Sequence, residues 1–129
     1  NEEQKEVAKR ICEKEGNKEY GLLSVWTQTF YNVEYLFTVN EGSFSPPPKV
    51  KSGVIRLNRK LKYLTGNQKE ILLQVLKITF GQRRKIIKNT LSQYSKSLPF
   101  IEPEVLAKRP EELSWEKFVK ISEIIENVY

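Results

Sequence analysis

Pro46, Pro47 and Pro48 follow one another between two β-rich stretches, VEYLFTV over 33–39 and SGVIRLN over 52–58. Proline has no N–H to give to a ladder and holds φ at about −65°, so no strand runs through the triplet. The two stretches are therefore expected as separate short strands, joined by a stiff, polyproline-like arm that starts after the Gly42 turn. On either side the apolar spacing becomes helical. Residues 3–14 place Val7 and Ile11 four apart with Ala8 and Cys12 beside them and end near Gly16, and residues 20–31 set Leu22, Trp26 and Phe30 in one row. Beyond 63–67 the whole chain reads as helix. The capping pattern Asn67-x-x-Glu70 opens one helix, with Leu72, Val75, Leu76, Thr79 and Phe80 as its buried stripe. A second is expected over 82–94, and a last one from Ser114, with Trp115, Phe118, Val119 and Ile125 on its inner side. The fold class is α+β, with one unit over 1–63 and an all-helical unit over 64–129, and the length suffices for one domain or for a small domain and part of another.

Composition removes several chemistries. The chain has no histidine and no aspartate, and Cys12 is its one cysteine. Nucleophile–histidine triads, histidine bases and Asp-rich calcium loops are thereby excluded; no internal disulfide forms, and no metal site is expected. No apolar run is long enough to span a membrane and the first 14 residues are charged, so the expectation is a cytoplasmic protein without membrane contact.

The net charge of +6 is unevenly spread. Residues 49–96 hold 13 Lys and Arg against one Glu, whereas the flanking segments 1–48 and 97–129 are each net acidic. A concentrated positive field attracts polyanions, RNA or DNA before an anionic membrane. The plainer reading, a solvated basic face, stays open on composition alone. Within the patch, Arg84 and Lys88 stand four apart in the expected helix over 82–94, flanked by Arg83 and Lys85. Such a cluster suits phosphates and specifies a backbone, not a base sequence. Phe44, just before the prolines, is either a hydrophobic plug or a stacking platform on a rigid mount, with Lys49 and Lys51 downstream to reach phosphates or merely to solubilise a strand end. Glu111 and Glu112 precede a helix start, where they complement the helix dipole, and Cys12 reads as a core residue.

FSPPPKVKSGVIRL over 44–57 resembles the Phe-x-Pro-x-Pro-x-Val-x-Ser signature of the rRNA adenine N6,N6-dimethyltransferases. QKEVAKRI (4–11), YGLLSVWTQTFYNVEYLFTV (20–39), FGQRRKIIKNTL (80–91) and RPEELSWEKFVKI (109–121) agree with the same family in order and spacing. The last two favour its small-subunit branch, and the proline motif alone is shared with the erythromycin-resistance methylases of large-subunit rRNA. The resemblance implies in-line transfer of methyl groups from S-adenosylmethionine to an adenine N6. Phe44 would stack on the extruded adenine on a loop fixed by Pro46 and Pro48, and Lys49, Arg56, Arg59, Arg83, Arg84, Lys85 and Lys88 would meet rRNA phosphates. The implied partner is small-subunit (16S) rRNA in the pre-30S particle, and the implied parent is a monomer.

Two motifs of that family are absent: no Gly-x-Gly turn for the cofactor and no Asn-x-Pro-Tyr for the adenine amine occur in these residues, and NEE stands where an apolar strand would precede QKEV. The expectation is a fragment holding the last helices and strands of a Rossmann-like methyltransferase sheet and the helical domain. It would carry no cofactor-binding or catalytic residue, be inactive alone, and be able to self-associate through exposed sheet edges. A stand-alone RNA-binding or ribosome-associated module without catalysis, and a large-subunit resistance methylase, are the alternatives.

Overall fold

The computed structural model of the chain describes residues 2–39, 52–61 and 63–129. Three strands, β1 (Glu2–Gln4), β2 (Tyr31–Val39) and β3 (Ser52–Arg59), form one antiparallel sheet in the order β1-β3-β2. The first surprise is β1. The apolar spacing predicts a helix from residue 3, yet Glu2, Glu3 and Gln4 pair with Val54, Gly53 and Ser52, and α1 runs only over Lys5–Cys12. The free edge of β3 needs partners for its backbone N–H and C=O groups, and that demand outweighs the poor strand propensity of glutamate.

α1 lies on one face of the sheet, with Ala8 fully buried and Val7, Ile11 and Cys12 half-buried. The approach is close because β3 offers Gly53: a Cβ there would lie 2.7 Å from the Ala8 Cβ and 3.0 Å from the Tyr35 hydroxyl. α2 (Leu22–Phe30) passes directly into β2 at Tyr31. β2 and β3 pair from Tyr31–Arg59 to Val39–Ser52, with a register shift between Tyr35 and Phe37. Leu36 and Phe37 are exposed at that irregularity.

The helical part is organised by α3 (Gly66–Phe80) and α6 (Trp115–Val128), which pack along each other. Leu72, Val75 and Leu76 of α3 meet Phe118, Ile121 and Ile125 of α6 in a core that also takes in Tyr20 and Val25. Inside that apolar contact the Gln68 amide donates to the Ser122 hydroxyl at 3.3 Å, and Ser122 in turn donates to the Val119 carbonyl at 2.6 Å, so the buried polar groups are satisfied. The cap of α3 differs from the expected one. Thr65 accepts from the Gln68 N–H at 3.0 Å, while Asn67 lies inside the first turn and donates to Glu126. Ser114 caps α6 as expected, accepting from Lys117 N–H at 3.4 Å.

No helix spans 82–94. Residues 81–85 form turns, α4 covers only Ile87–Thr90, and a 3-10 turn over Ser92–Tyr94 follows. Two features stop the helix. Ile86 is extended (φ −73°, ψ 157°), and the Ile87 N–H donates to the Lys108 carbonyl at 2.8 Å, a tertiary bond that replaces the helical one. After a short α5 (Pro103–Leu106) and a 3-10 turn over Pro110–Glu112, the chain enters α6.

Candidate nucleic-acid interface

α3 delivers the basic cluster to the surface. At its end the Gly81 N–H donates to the Lys77 carbonyl at 3.0 Å, and a Cβ on Gly81 would lie 2.8 Å from that same oxygen, so this tight exit requires glycine. The Gln82 N–H then bonds to Thr79 and the Lys85 N–H to Gln82, holding 81–85 in compact turns that line a shallow concavity. Arg84 and Lys85 are exposed here, and Lys88 is exposed on α4. Arg84 and Lys88 do not share a helical face, because the helix that would align them is absent.

Arg83 has a different environment from its neighbours. Its guanidinium donates to the Lys18 carbonyl at 2.9 Å and to the Tyr20 carbonyl, and lies 5.3 Å from the centre of the Phe80 ring. It ties the α1–α2 connection to the end of α3. Among the described residues no carboxylate is paired with it, so its charge faces carbonyl dipoles and the Phe80 ring rather than a counter-charge.

The sheet carries a second set of cations. Arg56 is exposed and pairs with Glu34 across β2 and β3 at 3.6 Å; Arg59 is exposed at the far end of β3, opposite Tyr31. An exposed pair of that kind contributes little stability and exchanges readily. Lys60, which no sequence motif marks, is committed to structure. Its N–H donates to Phe30, its ammonium donates to the Gln28 carbonyl at 2.5 Å, and the ammonium lies 3.5 Å from the centre of the Trp115 ring. It joins sheet, α2 and α6. Phe44, Pro46, Pro48, Lys49 and Lys51 lie outside the described residues.

The remaining candidates fall to structural roles. Glu112 accepts from the Arg109 N–H at 2.9 Å within the 3-10 turn ahead of α6. Cys12 is half-buried, and that burial together with neighbouring Glu13 raises its thiol pKa, away from a reactive thiolate. Tyr20 is fully buried and its hydroxyl pKa is pushed well up, chiefly by desolvation and then by Glu15 and Glu116. Among the described residues no group of three or more His, Cys, Asp or Glu is placed to hold a metal, and no helix is long and apolar enough to cross a membrane.

Residues 3–126 match the family model described as ribosomal RNA adenine dimethylase. The chain belongs to this family. Among curated relatives it is 50% identical over 123 residues to the ribosomal RNA small subunit methyltransferase A of Flavobacterium johnsoniae, covering 95% of this chain and 47% of that protein. It is 48% identical over 124 residues to the protein of the same name from Bacteroides thetaiotaomicron, covering 95% and 46%. The chain thus spans about half the length of the curated relatives it matches. A crystal structure of a dimethyladenosine transferase from Plasmodium falciparum superposes with a TM-score of 0.74 at 26% identity, over 93% of this chain and 54% of that one. The 23S rRNA methyltransferase ErmE superposes with a TM-score of 0.63 at 21% identity, over 97% and 53%, a likeness of fold alone. The family expected from the proline motif and its companion stretches is therefore the family found, and the α+β class holds.

Proposed function

We propose that this chain supplies the target-base and rRNA-binding surfaces of an S-adenosylmethionine-dependent rRNA adenine N6,N6-dimethyltransferase acting on small-subunit rRNA. The observation that carries the reading is the combination of the family match over 3–126 with a compact basic turn, Arg84 and Lys85 exposed on a rigid exit from α3. In this reading residues 1–63 belong with the methyltransferase sheet and carry the adenine loop of Phe44, Pro46 and Pro48. Residues 64–129 dock on rRNA within the pre-30S particle, in the cytoplasm. Lys49, Arg56, Arg59, Arg84, Lys85 and Lys88 meet phosphates. Arg83 contributes charge while it holds the loop at Lys18–Tyr20. The sheet is then the last part of a Rossmann-like one, whose two outer strands here, β1 and β2, are the edges through which the isolated chain self-associates.

The residues present do not fit the cofactor. The described strand-to-helix junction at β1–α1 runs Gln4–Lys5 without a glycine, and none of the six glycines of the chain stands in a Gly-x-Gly turn. No step through S-adenosylmethionine is assigned to these residues, and the chain alone does not methylate RNA.

Calorimetric titration with S-adenosylmethionine, then with a small-subunit rRNA hairpin at two salt concentrations, tests this. Salt-sensitive RNA binding without cofactor binding is the expected result. Replacing both Arg84 and Lys85 by Gln lowers the magnitude of the slope of log affinity against log salt by about two, if each meets one phosphate. A chain that binds the cofactor, or an RNA affinity indifferent to the double substitution, overturns the assignment.

A further inference from the structure

Two concavities meet at Arg83. One belongs to the basic turn and is lined by residues 81–85. The other lies between the α1–α2 connection and the end of α3, where Arg10, Lys18 and Arg83 line it together with the apolar Leu22, Leu23 and Phe80. We propose that this second concavity is a subsite for a backbone phosphodiester of the bound RNA, so that a strand lying on Arg84 and Lys85 continues across Arg83 onto α1. The inference rests on the RNA-binding reading above and extends it to two residues, Arg10 and Lys18, in the acidic first third of the chain.

Charge and shape both support it. Three cations face the cavity against one carboxylate, Glu19. Arg10 and Lys18 are exposed, and Arg83 belongs to both concavities. Arg83 is held by two neutral carbonyl acceptors, which fix its plane without cancelling its charge. A guanidinium so pre-organised loses little freedom when an anion arrives. The apolar part of the lining, Leu22, Leu23 and Phe80, suits what flanks a phosphodiester, the carbon faces of ribose, and would be a poor match for a free, fully hydrated anion.

Glu19 supplies the sign of the test. It lines the same cavity and pairs with Arg10 at 3.9 Å, with both side chains about half-exposed (47% and 48%). Such a pair is weak and yields to a phosphate, yet its carboxylate repels the same phosphate. Removing it should therefore tighten RNA binding, an outcome that damage to the fold does not mimic.

The experiment measures affinity of the chain for a small-subunit rRNA hairpin over a salt series in wild type, Lys18→Gln, Glu19→Gln, and the Arg84→Gln/Lys85→Gln pair, with inorganic phosphate as a separate probe. Lys18→Gln is expected to weaken binding several-fold and to reduce the salt slope by about one, and Glu19→Gln to tighten binding. If the Arg84/Lys85 pair weakens binding while Lys18→Gln and Glu19→Gln leave it unchanged, the subsite is wrong and the RNA-binding reading stands. If no substitution changes binding, both fall. Amide shifts at Gly21–Leu23 with inorganic phosphate, unaccompanied by any with RNA, also overturn the subsite, since they would mark a place for a free anion.

Discussion

Gly53 leaves no room for a methyl group. Its missing Cβ would stand 2.7 Å from the Ala8 Cβ, and Ala8 cannot swing away because that atom is fixed to the α1 backbone. Gly53→Ala should therefore lift α1 from the sheet and cost about 1–3 kcal/mol, as overpacking does. Urea unfolding checks the value, and Ala8→Gly in the same chain should recover part of it, a coupling that independent sites do not have. Tyr20 offers a contrasting case. It is fully buried and its hydroxyl has no hydrogen-bond partner among the described residues, so Tyr20→Phe removes a desolvated polar group and should leave stability at neutral pH unchanged or higher. The pH dependence follows from the raised pKa. Unfolded tyrosine gives up its proton at about pH 10 while folded Tyr20 keeps it, so above that pH the folded state binds more protons and stability falls as pH rises. Below about pH 9 the contribution is constant. Stability curves for wild type and Tyr20→Phe should run parallel to about pH 9 and separate above it, with wild type losing more. Parallel curves throughout would mean that the hydroxyl is not shielded as the structure has it.

At the scale of elements, the sequence was most legible where one apolar stripe served one partner. α3 and α6 carry buried residues at helical spacing, both are present, and each is capped by a Thr or Ser side chain. The two strands around the proline triplet were legible for the same reason, since their β-rich runs end where the backbone must change. What could not be read was structure set by contacts distant in sequence. β1 exists because β3 has an edge, and nothing in the residues Glu2–Gln4 announces it. The helix expected over 82–94 fails because Ile87 takes the Lys108 carbonyl as acceptor, a partner 21 positions away. Local propensity is a weak prior when one tertiary hydrogen bond and a buried Ile87 pull the other way. The candidate site shows the same division: a charge count finds Arg83, Arg84, Lys85 and Lys88, but only the fold separates Arg83, turned back onto carbonyls, from Arg84 and Lys85. That separation predicts unequal stability costs for two substitutions that both weaken RNA binding. Arg83→Ala should lower stability by about 1–2 kcal/mol through loss of its charged hydrogen bonds, whereas Arg84→Gln should leave stability within about 0.5 kcal/mol and weaken RNA binding. Thermal unfolding and RNA titration of the same two variants measure both halves, and equal stability losses would dissolve the distinction.

For the whole molecule, the division at 63 and 64 is a proposed division of labour between base handling and rRNA docking, and the core does not respect it. Tyr20 and Val25, from before that point, are fully buried in the same apolar cluster as Leu72, Val75, Phe118 and Ile121 from after it. The Tyr20 ring packs edge-on to Phe80 at 6.2 Å, and Phe80 continues to Phe118 at 5.6 Å, so one run of aromatic contacts crosses from the α1–α2 connection into α6. Lys60 adds a polar tie across the same junction, from the Gln28 carbonyl to the Trp115 ring. A piece comprising only 64–129 would keep its helices and the exposed cations Arg84, Lys85 and Lys88 but lose the side chains that close its core on one side. Small cores have little stability to spare, and the loss of two buried side chains, each supporting on the order of 2 kcal/mol of burial, is a large part of it. The expected behaviour of 64–129 is helical far-ultraviolet circular dichroism with weak near-ultraviolet signal and a broad urea transition. A piece over 17–129, which restores α2 and Tyr20, should recover a sharp one. If 64–129 unfolds as cooperatively as the full chain, the aromatic run is an incidental contact and the helical unit is a domain in its own right. If only the longer piece does, docking on rRNA and presentation of the adenine loop are coupled through α2, and a displacement at the basic turn is transmitted to the sheet through Arg83 and Tyr20.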